Sequence, residues 1–204
     1  MTYYHSSMTL HGGIDNPSVF SLNTYRIRRK LLKIFGASFH IYDGDEVVGF
    51  SRQKAFKLKE DIRVFPDEYS SEEILSVQAR QMIDFSAAYD IVDARDGTKV
   101  GAARRKGMAS LIRDTWEVLD AEDRPIGHLQ ENGSGMALLR RFITLIPQKF
   151  TLQKSGGGSP VRFEQRFNPL IFSLEVSIPE DSGFDHRLLL GVAVLLTAVE
   201  GRQK

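Results

Sequence analysis

From about Leu22 onward the chain alternates between apolar and polar positions in short runs, broken by clusters of Asp, Gly and Pro. Four stretches share one order: RKLLKIFGASFHIYDGDEVVGF from Arg29, DIRVFPDEYSSEEILSV from Asp61, AAYDIVDARDGTKVGAARRK from Ala87 and DTWEVLDAEDRPIGHLQ from Asp114. Each has an apolar extended element, an aspartate (Asp43, Asp67, Asp93, Asp120), a short polar turn and a second apolar element. Polarity that alternates with period two marks a half-buried strand, and the D-G, D-x-x-D-G and D-R-P clusters supply turn chemistry. The repeated unit is therefore a β-hairpin. Ile41, Val64, Ile91 and Val118 stand at equivalent places, and a second polar mark (Lys30, Lys54, Gln81, Lys106) precedes each aspartate by 12 to 14 residues. Gly49, Gly101 and Gly127 fall on the returning strands, where glycine permits a bulge or the close approach of another segment.

The period changes once. In GSGMALLRRFITLIP, Leu138, Leu139, Phe142, Ile143 and Ile146 follow helical spacing and Pro147 stops it, which predicts a short helix near 135–146. Strands resume with KFTLQK and VRFEQRF, and SGGGSP between them reads as a native hairpin loop; PLIFSLEVSI comes next. The last apolar stretch, Leu188 to Val199, is of another kind. As a helix it spans about 18 Å, whereas a bilayer core of about 30 Å asks for about 20 residues, so no transmembrane span is expected. Leu188, Leu190, Val192, Leu195 and Leu196 point all around such a helix and leave no face for water. Asp185 is placed to cap its start and Gly201 to end it. Only the strand series can surround it. The expected fold is thus mainly β: a closed antiparallel barrel of about a dozen strands enclosing a central hydrophobic C-terminal helix. Residues 1–20, rich in Ser, Thr and Gly with Pro17, read as a flexible arm, and 21–204 as a single domain.

Composition narrows the class without naming a task. With 42% hydrophobic and 26% charged residues the 204-residue chain is globular, and 27 Lys plus Arg against 26 Asp plus Glu give no global attraction to nucleic acid. Absence of cysteine excludes disulfides, thiolate chemistry and sulfur-ligated metals. The start lacks a basic region followed by an apolar run, so a cytoplasmic protein is expected, with peripheral membrane contact allowed.

The hairpins of type F-x-I-Y-D-x-x-x-x-V-x-F, the R-K-L-L start at Arg29 and the final hydrophobic helix resemble the LURP-one-related proteins over about 22–200. That family belongs with the phospholipid scramblases and the Tubby C-terminal domain. The resemblance implies a closed barrel of about twelve strands around a central C-terminal helix; an enzyme using the carboxylates has no constellation of residues behind it, so neither catalysis nor a cofactor is expected. The resemblance also implies a partner of one of two kinds: an anionic phospholipid or phosphoinositide headgroup at a membrane surface, or a protein. Its alternative is a scramblase-like protein whose helix inserts into the bilayer. The acidic segment PEDSGFD corresponds to that preceding the last helix of scramblases, which makes Asp181 and Asp185 the weak calcium candidates; the carboxylate spacing of a calcium loop is missing, as is the cysteine-rich segment. Withdrawing about ten large apolar residues from a core costs on the order of 15 kcal/mol, which weighs against the alternative.

Candidate chemistry is sparse. Arg26, Arg28, Arg29, Lys30 and Lys33, then Arg104, Arg105 and Lys106, then Arg140 and Arg141, form the basic groups. Their recurrence with the repeats favours solvated strand faces offset by nearby acids. Gathered at one barrel end, Arg28, Arg29, Lys30, Arg104, Arg105, Lys106, Arg140 and Arg141 could instead hold a phosphate headgroup through charge-assisted bonds. The paired aspartates at 43/45, 93/96 and 120/123 read as turn formers. Histidines 5, 11, 40, 128 and 186 show no ligating spacing, so no metal site is expected. Trp116, at the place held by Phe39 and Tyr89 in their repeats, reads as a packing residue.

Overall fold

A computed structural model describes residues 18–30, 37–53, 61–80, 87–105, 115–132, 147–166, 168 and 171–200. The expected helix at 135–146, Gly201, Lys106, Arg140 and Arg141 lie outside the described residues.

Twelve strands run in chain order: β1 (Thr24–Lys30), β2 (Ala37–Asp43), β3 (Glu46–Gln53), β4 (Asp61–Phe65), β5 (Leu75–Ala79), β6 (Ala88–Asp93), β7 (Lys99–Arg105), β8 (Thr115–Leu119), β9 (Pro125–Glu131), β10 (Lys149–Lys154), β11 (Val161–Arg166) and β12 (Ile171–Ser177). Each pairs antiparallel with its neighbours in sequence, and β12 returns to pair with β1 over Thr24↔Ser177 to Lys30↔Ile171. Closure leaves no edge strand, which removes the unpaired backbone groups of an open sheet. A short helix α1 (Ser18–Ser21) precedes the barrel and sets Val19 into the core. After β12 a 3-10 turn (Glu180–Ser182) leads to helix α2 (His186–Glu200).

The alternation seen in the sequence sets the pleat. Phe39 and Ile41, Tyr89 and Ile91, and Trp116 and Val118 all turn into the lumen and are buried, with Trp116 1% exposed and its ring 5.9 Å from that of Tyr89. Three hairpins share one irregularity. The register shifts at Ile41/Tyr42, Ile91/Val92 and Val118/Leu119, opposite Gly49, Gly101 and Gly127. The fourth expected repeat departs from this: β4 and β5 pair without a shift, and residues 66–74 form a longer connection between them. The turn aspartates do what their chemistry suggests. Asp120 Oδ1 accepts from the amides of Glu122 and Arg124, Asp67 Oδ1 from Tyr69 and Ser70, and Asp96 Oδ1 from Thr98. SGGGSP is the β10–β11 hairpin connection, with Gly157 and Gly158 at φ 98° and 97°.

Helix α2 fills the lumen. From Leu188 to Ala198 every residue is buried, as an all-round apolar helix requires. Asp185 Oδ1 accepts from the Arg187 amide at 2.8 Å and caps its first turn. The helix packs against β12 and β1 on one side and β5, β6 and β7 on the other, and on the second side the contact is tight enough to need glycine. A Cβ on Gly191 would stand 2.6 Å from Ile91, and one on Gly101 would stand 2.4 Å from the Leu119 carbonyl oxygen and 3.0 Å from Leu188. Glycine on helix and wall thus lets the two meet. The start of the helix is tied to the same side by charge. Asp93, 1% exposed, is gripped by Arg95 at 2.6 Å and by Arg187 of α2 at 3.0 Å. The Arg95 hydrogen bonds hold its carboxyl well below the usual carboxylate range; burial pushes the other way, and Arg187 adds to Arg95.

Candidate functional site

The sequence TYRIRRK of β1 places Tyr25, Ile27 and Arg29 on the lumen side and Arg26 and Arg28 on the outer side, because successive residues of a strand face opposite ways. The consecutive basic run is therefore split. Arg28 lies outside, with its guanidinium 4.8 Å from the centre of the Tyr42 ring. Its cross-strand neighbours are Ser173 of β12 and His40 of β2. Arg26 donates to the Gly44 carbonyl at 2.7 Å and stands between Glu175 and Tyr42 in register. The Glu175 carboxylate is already engaged by Arg166 of β11, whose Nε donates to it at 2.6 Å. Neither Arg26 nor Arg28 has a carboxylate partner among the described residues, and neither does the exposed Arg162 of β11. Across β11, β12 and β1 the outer face carries Arg26, Arg28, Arg162 and Arg166 against Glu164 and Glu175. Lys30 closes β1 opposite Ile171.

Arg29, on the lumen side, sits 5.8 Å from the Phe39 ring centre. Arg105 repeats this arrangement on β7, facing inward 5.9 Å from Trp116, its register partner. Arg104 points outward, and Glu117 of β8 takes its charge at 2.7 Å. In the closed order β1 and β7 are six strands apart in either direction, so Arg28 and Arg104 stand on opposite walls. The outer members Arg28 and Arg104 therefore do not share one outer face. On the β7 side the other cations are also engaged. Arg80 holds Asp90 at 2.6 Å and Asp123 at 2.5 Å, Lys99 holds Asp123 at 2.8 Å, and Arg124 holds Asp120 at 2.7 Å. The Arg80 hydrogen bond, then that of Lys99, lowers the Asp123 carboxyl from its ordinary value.

Asp181 accepts the Ser159 hydroxyl at 2.8 Å, while Asp185 caps α2 and meets Arg187 at 2.6 Å. No group of three His, Asp or Glu able to hold a metal occurs among the described residues. Sequence reading missed Ser173 as the cross-strand neighbour of Arg28, and Arg166 one strand beyond it. They come from strands at the far end of the chain, and only the closure of the barrel makes them adjacent.

The class is thus defined by its architecture: a closed twelve-stranded antiparallel barrel plugged by its own C-terminal helix. Its membership is narrower still. A family model described as LURP-one-related matches residues 47–197, and the chain belongs to that family. No curated protein and no solved structure matches it.

Proposed function

We propose that the protein is a non-catalytic barrel that holds an anionic phospholipid headgroup, phosphoinositides included, on the outer wall around β1. The observation that carries this reading is the pair Arg26 and Arg28, whose charges meet no carboxylate among the described residues, while Arg80, Lys99, Arg104 and Arg124 on the β7 side each pair with one. Guanidinium groups form charge-assisted, often bidentate bonds to phosphate oxygens, and each cation near an anionic surface contributes roughly 1 kcal/mol. Ser173, buried, and His40, whose Nε2 stands 3.3 Å from the Glu68 carboxylate, are the cross-strand neighbours of Arg28. Among the described residues no helix is long and apolar enough to cross a membrane, and the grip of Asp93 on Arg187 weighs against a helix that leaves the barrel.

Co-sedimentation with vesicles tests the reading. Phosphatidylserine vesicles with a phosphoinositide should carry the protein down, purely zwitterionic vesicles should not, and added salt should release it. Equal absence of binding to both vesicle types at low salt would overturn it; capture by a protein instead of by vesicles would redirect the same wall to an acidic partner.

A further inference from the structure

The connection between β4 and β5, PDEYSSEEI from Pro66, is not a simple turn. It crosses β3 and reaches β2. Arg52 of β3 donates to the Glu68 carbonyl at 2.5 Å, and the Glu68 carboxylate lies 3.3 Å from His40 Nε2 on β2. Its return is tied by Arg63 to Glu73 at 2.5 Å. Because His40 is the register partner of Arg28, this strap ends at the margin of the β1 wall. The next residue, Tyr69, is 95% exposed, while its amide is held by Asp67. Backbone and side chain are thus separated in role: the fold uses the amide and leaves the phenol entirely in water.

We infer that Tyr69 is a phosphoryl acceptor whose modification closes the adjacent β1 wall to anionic ligands. This rests on the headgroup reading for its consequence, though not for the modification itself. The phenol is the most exposed large side chain of the two that the described surface shows in that class, the other being Val47 at 45%. Asp67 and Glu68 precede it and Glu72 and Glu73 come after, a charge pattern complementary to a kinase that reads its substrate with basic side chains. In the transfer, Tyr69 Oη attacks the γ-phosphorus of ATP, its proton passes to the kinase base, and the bond to the bridging oxygen breaks to release ADP. The phosphate adds a charge of about −1.5 to −2 one residue from a carboxylate already seated against His40. Arg28 and Arg52 are the cations at that margin, so the new group either repels an arriving headgroup or occupies the place it would take.

The full chain is incubated with ATP and a tyrosine kinase selective for acidic sequences, digested with trypsin and weighed. Peptide 64–80 contains Tyr69 as its single tyrosine, so one added phosphate on it, abolished by Tyr69→Phe, is the expected result. Phosphorylated protein should then sediment about tenfold less well with phosphatidylserine–phosphoinositide vesicles than unmodified protein, with Tyr69→Phe matching the unmodified chain. A chain left without phosphate on Tyr69 overturns the inference, and so does a phosphorylated chain that sediments unchanged. If the kinase-free chain already fails to sediment, the headgroup reading falls in that arm and takes the closing role with it, while the peptide mass reports on Tyr69 separately.

Discussion

The two opposite sides of the barrel are made of similar strands and both carry arginines, yet they use them differently. On the β5–β7 side the plug is pressed to the wall at Gly191 and Gly101, tied through Asp93 to Arg187, and backed outside by Arg80, Lys99 and Arg104, each facing a carboxylate. On the β1 side Tyr25 and Ile27 are equally buried in the lumen, but outside Arg26 stops at a backbone carbonyl and Arg28 at a tyrosine ring. Charge that is neutralised within the fold contributes to holding it; charge left over is available to something else. The difference separates a side that stabilises from a side that can bind, and substitutions on one should leave the other's property unchanged.

The largest effect is expected at the contact of plug and wall. Gly101→Ala places a methyl 2.4 Å from the Leu119 carbonyl oxygen, a backbone atom that cannot swing aside. We expect a loss of about 3 kcal/mol or more in urea unfolding, or no folded protein. Gly191→Ala meets the Ile91 side chain first, at 2.6 to 2.9 Å. Ile91→Ala, itself a core truncation, should therefore cost less in the Gly191→Ala background than in the wild type, whereas it leaves the clash of Gly101→Ala with the Leu119 carbonyl in place. Additive losses in the first pair would show that α2 does not approach β6 as described.

Next comes the tie at the start of the helix. Asp93→Asn leaves Arg187 and Arg95 without their shared anion and should cost about 2–3 kcal/mol at neutral pH, the two guanidinium groups being able to turn partly to water. The pH dependence gives a sharper signature. A carboxyl held below its unfolded-state value, ordinarily about 3.9, contributes stability that is fully present above that value and is lost as pH falls toward the folded one. Wild type should lose this part of its stability from about pH 4 downward, and the difference between wild type and Asp93→Asn should shrink over that range. A constant difference would mean that the charge of Asp93 is not what ties helix to wall.

How far the fold is legible in the sequence depends on the distance over which each feature is specified. Asp120 forms its turn with residues two and four positions on, so the hairpins can be read from short stretches. Helix α2 can be read because eleven consecutive buried residues leave no amphipathic alternative. The β4–β5 strap is harder: Asp67 is a turn former like the others, but the residues after it cross β3 to His40, a tertiary event with no local mark. For the site, Arg28 and Arg29 look like one group because they adjoin in the chain. The pleat puts one on the outer wall against Tyr42 and the other on the lumen side against Phe39. Whether an arginine keeps its charge available is set by register: Arg104 faces Glu117 thirteen residues on, while Arg28 faces Ser173 and His40.

On the other side the effect should appear in binding alone. The double substitution Arg26→Ala with Arg28→Ala removes two cations from an anionic interface, and at roughly 1 kcal/mol each the affinity for phosphatidylserine–phosphoinositide vesicles should fall about thirtyfold. Unfolding should move by no more than about 0.5 kcal/mol, since the groups lost are one carbonyl hydrogen bond and one exposed ring contact. Loss of stability without loss of binding would reverse the assignment of the two sides.

The smallest effect is also the most discriminating. By sequence Arg104 belongs to the same basic set as Arg28, and it sits at a comparable outer position six strands away. Its guanidinium donates twice to Glu117, at 2.7 and 3.1 Å, on a partly exposed surface where such a pair contributes about 0.2–1 kcal/mol. Arg104→Ala should lower stability within that range, and high salt should shrink the difference because the attraction is screened. Vesicle binding should stay at the wild-type level, as the charge removed was already balanced. Neutralising the partner carries the comparison further. Glu117→Gln frees Arg104 without removing it, so the β7 side should gain some of the salt-sensitive vesicle binding that the β1 side has from the start. If Glu117→Gln has no such effect while the Arg26 and Arg28 substitutions do, availability of charge is insufficient, and the surroundings of Arg28 must supply what Arg104 lacks.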